Sequence, residues 1–534
     1  MPWLDTSKVE RNQLDGMIGL QVYNGLDCCL TYEIWESSYL DMESVQHSEQ
    51  AKLIYSFERG MQAPSFVMSR RGVLVDQMWR GIVRTELENE LEGHDYRFQR
   101  LAQAVWGKPY EDRNKKGSKR EGTLTTYSLN YSSPDQLKNF FYEALEVPPR
   151  YTFDKGEMRI TTNREALEWI DENSKYGGVF ARYIIRMRDL SKKIGVLKKR
   201  ISPDGRMRCS YNVAGTETGR WSSSEDPFGD GDNLQNWTKK MRRCVVADPG
   251  YKLFSIDYSQ AESFVVGGCA FRDGRDKAYL DVCRSGDLHT SVCREVWPNL
   301  PWTGDLEKDR EIAEQPFYFA LSYRDTEKRF GHGTNYIGGA RHLAKTTRTD
   351  LDAVAMFQLR YFKRFPGIKS YHNMQIGRIQ LSRSVQTALG RFRTFFGHPA
   401  DAGTHRKGVA FEPQSTVGDM LNLALWRVWW ELDEWGPNKG PLQLLLQVHD
   451  NIVFQLPESL GHDGQRRIVE RVLELLRIEL HYGAEVVVVP ADVECGWNWA
   501  PKKVDKANVD GLISWNPEGD IRTRQSRPAL PRLD

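Results

Sequence analysis

The sequence predicts an α+β protein with a helical arm, on three observations. Helix-patterned segments dominate residues 19–200, strand-like apolar runs gather from Tyr251 onward, and a polar turn splits one of those runs into a hairpin. At 534 residues the chain is too long for one core and should divide into several subdomains. Its 40% hydrophobic and 27% charged content suits a globular enzyme and excludes a disordered or fibrous chain.

Taken in order, apolar spacing and the lack of proline predict a helix from about Gly19 to Leu40. A second, Ser48 to Met61, leads into Pro64 and the strand-like stretch Gly72-Val73-Leu74-Val75-Asp76. Residues 77–106 read as an amphipathic helix, and residues 107–128, polar and rich in Gly and Lys, as an exposed loop. Asn130 to Pro134 is a helix-start signal before Gln136-Leu137, with Ser132 or Ser133 as its cap. A further helix spans about Tyr176 to Arg200. Tyr251 to Asp257 is an apolar strand that stops on an acid, and residues 310–385 are mostly helical in pattern. Leu444 to Phe454, interrupted by His449-Asp450-Asn451, predicts two strands and a tight turn. Glu485 to Pro490 reads as a buried strand, and the Pro-, Lys- and Arg-rich tail from Pro501 as loosely packed or disordered.

Lys and Arg (74) nearly balance Asp and Glu (72), a formal net charge of +2, so no global basic field draws in a partner. Three local runs remain: Arg113 to Arg120, Lys192 to Arg200, and Lys239 to Arg243. Such runs are more often solvated faces than nucleic-acid sites. The eight cysteines form no CxxC pair, which argues for reduced thiols in a cytoplasmic protein and against a zinc site. Charges within the first ten residues argue against a signal peptide, and no run approaches the roughly 20 apolar residues of a membrane helix.

Two-metal phosphoryl chemistry asks for carboxylates delivered from separate strand ends, holding cations about 4 Å apart. Asp257, at the end of Phe254-Ser255-Ile256, and Asp450, at the apex of the hairpin, answer that description. An aspartate that ends a strand is also a common turn residue. Arg324, Lys328, His332 and Tyr336 recur every four residues, so on a helix they share one face, two cations followed by two rings. A solvated face would read the same way. Gly331, Gly333, Gly338 and Gly339 nearby each cost a helix interior about 1 kcal/mol, tolerated where something approaches the backbone closely.

The segment Thr216-Glu217-Thr218-Gly219-Arg220-Trp221-Ser222-Ser223, followed by Asn233-Leu234-Gln235-Asn236, resembles the primer-contacting signature of family A DNA polymerases. Asp257 to Glu262 resembles that family's motif A, Arg324 to Tyr336 its motif B, and Gln447-Val448-His449-Asp450 its motif C. Gly496-Trp497-Asn498-Trp499 resembles its C-terminal signature, and all occur in the family's order. The resemblance implies a right-hand polymerase fold with an antiparallel-sheet palm, helical fingers and a helical thumb. It assigns an exonuclease remnant to residues 1–45, thumb and lead-in to 46–200, palm to 201–284 and 406–500, fingers to 285–405, and a tail to 501–534.

It further implies a DNA polymerase working with two Mg²⁺ ions, Mn²⁺ as a substitute, on primer-template DNA and dNTPs. Asp257 and Asp450 would bind both metals, assisted by the Tyr258 carbonyl. Arg324 and Lys328 would hold the triphosphate, His289 would reach its β-phosphate, His332 would face the nucleotide and Tyr336 the template-base position. Glu262 would be the gate against a ribose 2′-hydroxyl. Arg220, Gln235, Asn236 and Gln414 would touch the minor groove, and His449 the primer terminus.

The chain departs from the pattern at His332, where Phe or Tyr is usual, at Asn451 in place of Glu, at Ser263-Phe264 and at Ala410. Tyr23-Asn24-Gly25-Leu26-Asp27 matches the YxxxD that closes the family's 3′→5′ exonuclease, yet the earlier acidic DxE motif is missing. Either proofreading is absent or a separate polypeptide supplies it, and a processivity factor is a further expected partner. The expected setting is the cytoplasm of a bacterial or phage-infected cell. A single-subunit RNA polymerase and a catalytically silent DNA-binding subunit are the alternatives. Glu262 argues against the first, and retention of Asp257, Asp450, Arg324 and Lys328 against the second.

Overall fold

The computed structural model describes residues 16–44, 48–106, 110–111, 125–126, 129–154, 156–226, 231–318, 321–519, 522 and 524. Two helices open the chain, α1 (Gly16–Ser44) and α2 (Ser48–Arg71). α2 does not stop near Met61 as its sequence suggested but runs on through Pro64. A proline inside a helix costs about 3 kcal/mol. The buried face of Met61, Pro64, Ser65, Val67 and Met68 offsets that cost. Gly72, at φ +61, ends the helix by donating its N–H to the Met68 carbonyl (2.9 Å). It feeds β1 (Val73–Val75), which pairs antiparallel with β2 (Arg206–Met207) and β3 (Val245–Val246).

The helical arm is α3 (Gln77–Trp106) packed against α6 (Gly177–Lys198). Its outer part carries α4 (Pro134–Lys138), which Ser133 caps by accepting the Gln136 N–H, and α5 (Arg164–Asn173). Phe98, Phe140, Phe141, Ile170, Phe180 and Ile184 form a separate core there. Most of 107–128, including the first basic run, lies outside the described residues; the pieces Tyr110–Glu111 and Thr125–Thr126 pair with one another. The other two runs are largely paired within the protein. Lys198 meets Glu88 (2.8 Å), Lys199 meets Glu225 (2.8 Å), Lys240 meets Glu86 (2.7 Å), and Arg242 stacks 4.3 Å from the Trp499 ring centroid.

The central sheet is antiparallel, in the order β5 (Gln443–Val448), β6 (Asn451–Pro457), β4 (Tyr251–Tyr258), β9 (Ala491–Gly496), β10 (Ile513–Ser514). Strand β4 is buried from Lys252 to Ile256 because both faces of the sheet are covered. Phe254 and Ile256 join the main core, whereas Leu253 joins the core at the base of the arm with Val83, Leu190 and Ile194. The arm is thereby seated on the sheet.

Helices α7 (Ala261–Gly274), α8 (Leu288–Val296), α9 (Tyr323–Asn335), α10 (Ala340–Thr347), α11 (Leu351–Arg364), α12 (Pro366–Ser382) and α13 (Ala402–Leu432) form the second lobe and the sheet's backing, with α14 (Gly461–Leu476) behind. The two lobes also meet at their far ends. On α5, Asp171 pairs with Arg348, which ends α10 (2.8 Å), and Glu172 pairs with Lys345 (2.9 Å).

Two expectations need correction. Glu485 to Pro490 is not a buried sheet strand: β8 (Glu485–Val488) forms a hairpin with β7 (Glu479–Tyr482), and of the strand itself only Val487 is buried. The tail from Pro501 is folded at least to Gly519. β10 extends the central sheet, Lys502 N–H donates to the Leu512 carbonyl (2.8 Å), and Asn498 and Asn508 pair through their amides (2.7 Å). Leu512 joins the core at the base of the arm and Trp515 packs on the main core, but isolated apolar residues among hydrogen-bonded turns carry little periodicity to read. Among the described residues no helix is long and apolar enough to cross a membrane.

Candidate active site

Strand register brings the two aspartates together. Asp257 of β4 lies opposite Asn451 of β6, and Asn451 pairs with Val448 of β5, leaving His449-Asp450 as a two-residue turn beside Asp257. Tight hairpins want positive φ at the first turn residue. His449 supplies it at φ +56, a left-handed conformation costing about 1 kcal/mol or more in a residue with a Cβ. The Tyr258 N–H donates to the Asp450 carbonyl (3.3 Å), tying the turn to the end of β4. On its other side Asp257 lies opposite Asp492 of β9.

Asp257 opens to solvent at the strand end while protein surrounds it elsewhere. That surrounding, then the charges of Asp450, Asp492 and Glu494, push its carboxyl up to about 7 against the pull of Arg242. Burial also raises Asp450, opposed by Arg220 and reinforced by Glu262. Two carboxylates crowded this way favour a cation between them. Among the described residues no group of three or more His, Cys, Asp or Glu side chains builds a protein-only cage. Carboxylate oxygens of this kind suit a hard divalent cation.

A polar chain leads from there to α9. Arg220 Nη2 lies 2.6 Å from Glu262 Oε1 and 3.4 Å from Asp450 Oδ1, and the Tyr336 hydroxyl donates to Glu262 Oε2. Glu262 sits in the first turn of α7 because Gln260, at φ +56, turns the chain sharply out of β4. The loop bearing Arg220 is held from behind. Asn422 donates to the Gly219 carbonyl (3.1 Å), and a Cβ on Gly219 (φ +75) would stand 2.6 Å from the Arg391 guanidinium.

Helix α9 is two-sided. Thr326, Glu327, Phe330, Gly331, Thr334 and Asn335 are buried, whereas Lys328 and His332 are exposed and Arg324 and Tyr336 half-buried, as the four-residue spacing predicted. The His332 and Tyr336 rings meet edge-on, centroids 4.9 Å apart. Gly338 donates its N–H to the Gly333 carbonyl (2.7 Å), so these glycines serve the close return of the chain behind α9 rather than leaving the backbone open to a ligand. Arg324 Nη2 is 3.0 Å from Asp287 Oδ1. Burial would raise the Asp287 carboxyl, but hydrogen bonds from Arg324 and Thr290 outweigh it and hold it below the usual range. His289 lies two residues further, Nδ1 2.5 Å from Glu327 Oε2. Lys328 has no partner among the described residues.

The remaining expected residues spread along the turn and α13. Gln235 is buried and donates to Gln447 Oε1 (2.8 Å), whose own amide donates to the His449 carbonyl (2.8 Å). It therefore braces the turn. Asn236 and His449 are exposed, and Gln414 is half-buried on α13. Asn451 bonds to the Ser255 hydroxyl (3.0 Å). Phe264 packs in the main core. Asp27 is exposed on α1; the side chain of Tyr23 lies outside the described residues. Sequence reasoning missed Asp492, Arg391 and Asn422, and gave no role to Asp287, Glu327 or Gln447, which lie within its motifs. Asp287 could have been found: Asp-x-x-Thr before an apolar run is a cap signature.

A family model described as DNA polymerase family A matches residues 106–501. The chain belongs to DNA polymerase family A. It is 27% identical over 495 residues to DNA polymerase I of Pseudomonas aeruginosa, covering 89% of this chain and 47% of that protein. It is 26% identical over 478 residues to the thermostable DNA polymerase I of Thermus filiformis, covering 86% and 49%. The chain thus spans about half the length of these curated relatives. A solved structure, the POL domain of Pol1 from M. smegmatis in complex with DNA primer-template and dNTP, aligns with TM-score 0.61 at 22% identity, covering 83% of this chain and 70% of that one. Family A's right-hand α+β fold is thereby the fold of this chain.

Proposed function

We propose that this chain is a template-directed DNA polymerase that adds deoxynucleotides to a primer 3′ end by two-metal-ion nucleotidyl transfer in DNA replication. The observation that carries the reading is the continuous chain Asp450–Arg220–Glu262–Tyr336, which joins the paired palm aspartates to the cation-bearing face of the fingers helix. Asp257, Asp450 and the Tyr258 carbonyl hold the metals. Divalent cations are general in this family; bound Mg²⁺, two ions with Mn²⁺ as a substitute, supplies Lewis-acid activation of the primer hydroxyl and neutralises charge on the leaving pyrophosphate. Arg324, Lys328 and His289 hold the triphosphate, His332 and Tyr336 meet the sugar and base, Arg220, Asn236, Gln414 and His449 follow the primer-template, and Gln235, expected in the minor groove, is instead buried against Gln447 and supports the turn from behind.

On this reading residues 201–284 and 406–500 are a split palm, 285–405 the fingers and 46–200 the thumb with its lead-in. A separate exonuclease polypeptide or a processivity factor is a further partner on this reading. The runner-up, a single-subunit RNA polymerase, fits less well. Glu262 is held from both sides, by Arg220 and Tyr336, where a ribose 2′-hydroxyl would need room.

Primer extension with dNTPs and with rNTPs tests the proposal. Extension by dNTPs alone is expected, and Glu262→Ala should raise ribonucleotide use relative to deoxyribonucleotide. No extension, or equal use of both sugars by the wild type, would sink it.

A further inference from the structure

Helix α9 carries a carboxylate that the polymerase reading leaves without a task. Glu327 is 2% exposed, on the inward face of the helix between Thr326 and Phe330. An ionised carboxylate is costly to bury unless it is paired. Its partner is His289 on α8, and a carboxylate can only accept, so the imidazole donates from Nδ1 across 2.5 Å. Gly331 gives the carboxylate its room: a Cβ there would stand 2.7 Å from Glu327 Oε1. The His289 side chain keeps 17% exposure, and its Nε2 has no partner among the described residues. A second tie, Arg324 to Asp287 (3.0 Å), links the same two helices one turn away.

We infer that Glu327 is a positioning residue for the incoming nucleotide. It fixes the ring of His289 through Nδ1–H, so that in the imidazolium form the second N–H, at Nε2, donates to a phosphate oxygen of the triphosphate beside Arg324 and Lys328. Because the bond joins α8 to α9, His289 moves with the fingers helix and the phosphate-facing groups travel together. This rests on the polymerase reading and adds to it a residue that touches no substrate.

The test is single-turnover incorporation with the wild type, Glu327→Gln, His289→Ala and the double variant, reading nucleotide Kd apart from the maximal rate. A neutral amide oxygen is a weaker acceptor for Nδ1–H than a carboxylate, so Glu327→Gln should raise Kd about three- to tenfold, with the maximal rate changed less than about twofold. Added to His289→Ala, it should change nothing further. An unchanged Kd, or an equal penalty with and without His289, overturns the inference while leaving the polymerase reading intact; a wild type that extends no primer overturns both. Nitrogen NMR of histidine-labelled wild type, with the His289 signal assigned by its loss in His289→Ala, gives a check that needs no Glu327 variant. Nδ1 should carry a proton in the free protein, and the Nε2 signal should move when nucleotide joins the primer-template complex. An unprotonated Nδ1, or a still Nε2, overturns the inference.

Discussion

Asp257 and Asp450 arrive at one point by different means, the first as the last turn of a buried strand, the second as the apex of a strained hairpin. Each had to be placed by register before either could matter. Asp257→Asn or Asp450→Asn should abolish extension yet leave primer-template binding largely intact, since an amide is a neutral and poorer ligand for magnesium. Single-turnover incorporation checks this; a variant within about tenfold of wild type, about 1.4 kcal/mol of barrier, does not hold a metal. Crowding also fixes a pH dependence. With its carboxyl pushed up to about 7, Asp257 is protonated below that pH, and a cation must displace the proton. Mn²⁺ binding to the DNA-free protein should therefore tighten as pH rises to about 7 and level off above it. Titration calorimetry showing flat affinity from pH 6 to 8 would contradict the assignment. At this scale the motif letters were legible, because chemistry restricts them to a few residue types. Glu327, Asp492 and Gln447 were not, because their roles depend on neighbours far along the chain.

Helix α9 shows what an element adds to its residues. Its four-residue series was readable because burial of the opposite face leaves Lys328 and His332 exposed. The continuation of α2 through Pro64 was not, because tertiary packing overrode a local breaker. Nor was the folded tail, whose hydrogen bonds and isolated apolar residues follow no period. The exposed imidazole of His332, edge-on to Tyr336, offers a ring N–H where a sugar would sit on the proposed reading. It should admit 2′,3′-dideoxynucleotides more readily than His332→Phe, by several-fold for one hydrogen bond worth about 0.5–1.5 kcal/mol. Comparing dideoxy- with deoxynucleotide incorporation efficiencies decides it. Equal ratios in the two proteins would mean that the ring does not read the sugar.

Across the whole molecule, the contact between α5 and α10 changes the topology. On the proposed reading, palm, thumb and fingers make an open hand that Asp171–Arg348 and Glu172–Lys345 close into a ring. The cations lie at the surface, Arg348 73% and Lys345 58% exposed, although Asp171 is 7% exposed and also holds Arg182 (2.8 Å), so each pair is worth about 0.2–1 kcal/mol and is screened by salt. A clasp that weak opens often; on the proposed reading it would distinguish DNA that can thread from DNA that cannot. A short linear primer-template should load faster than a primed circle in dilute salt, and Asp171→Asn/Glu172→Gln should remove the difference, as should about 0.5 M salt. Stopped-flow association rates measure it; equal rates for circle and linear DNA with the wild type would mean that the ring never closes in solution. Where it does close, a strand without ends can leave only when two ion pairs break together, so the residence time of the enzyme on a circle is set partly at a point remote from any nucleotide.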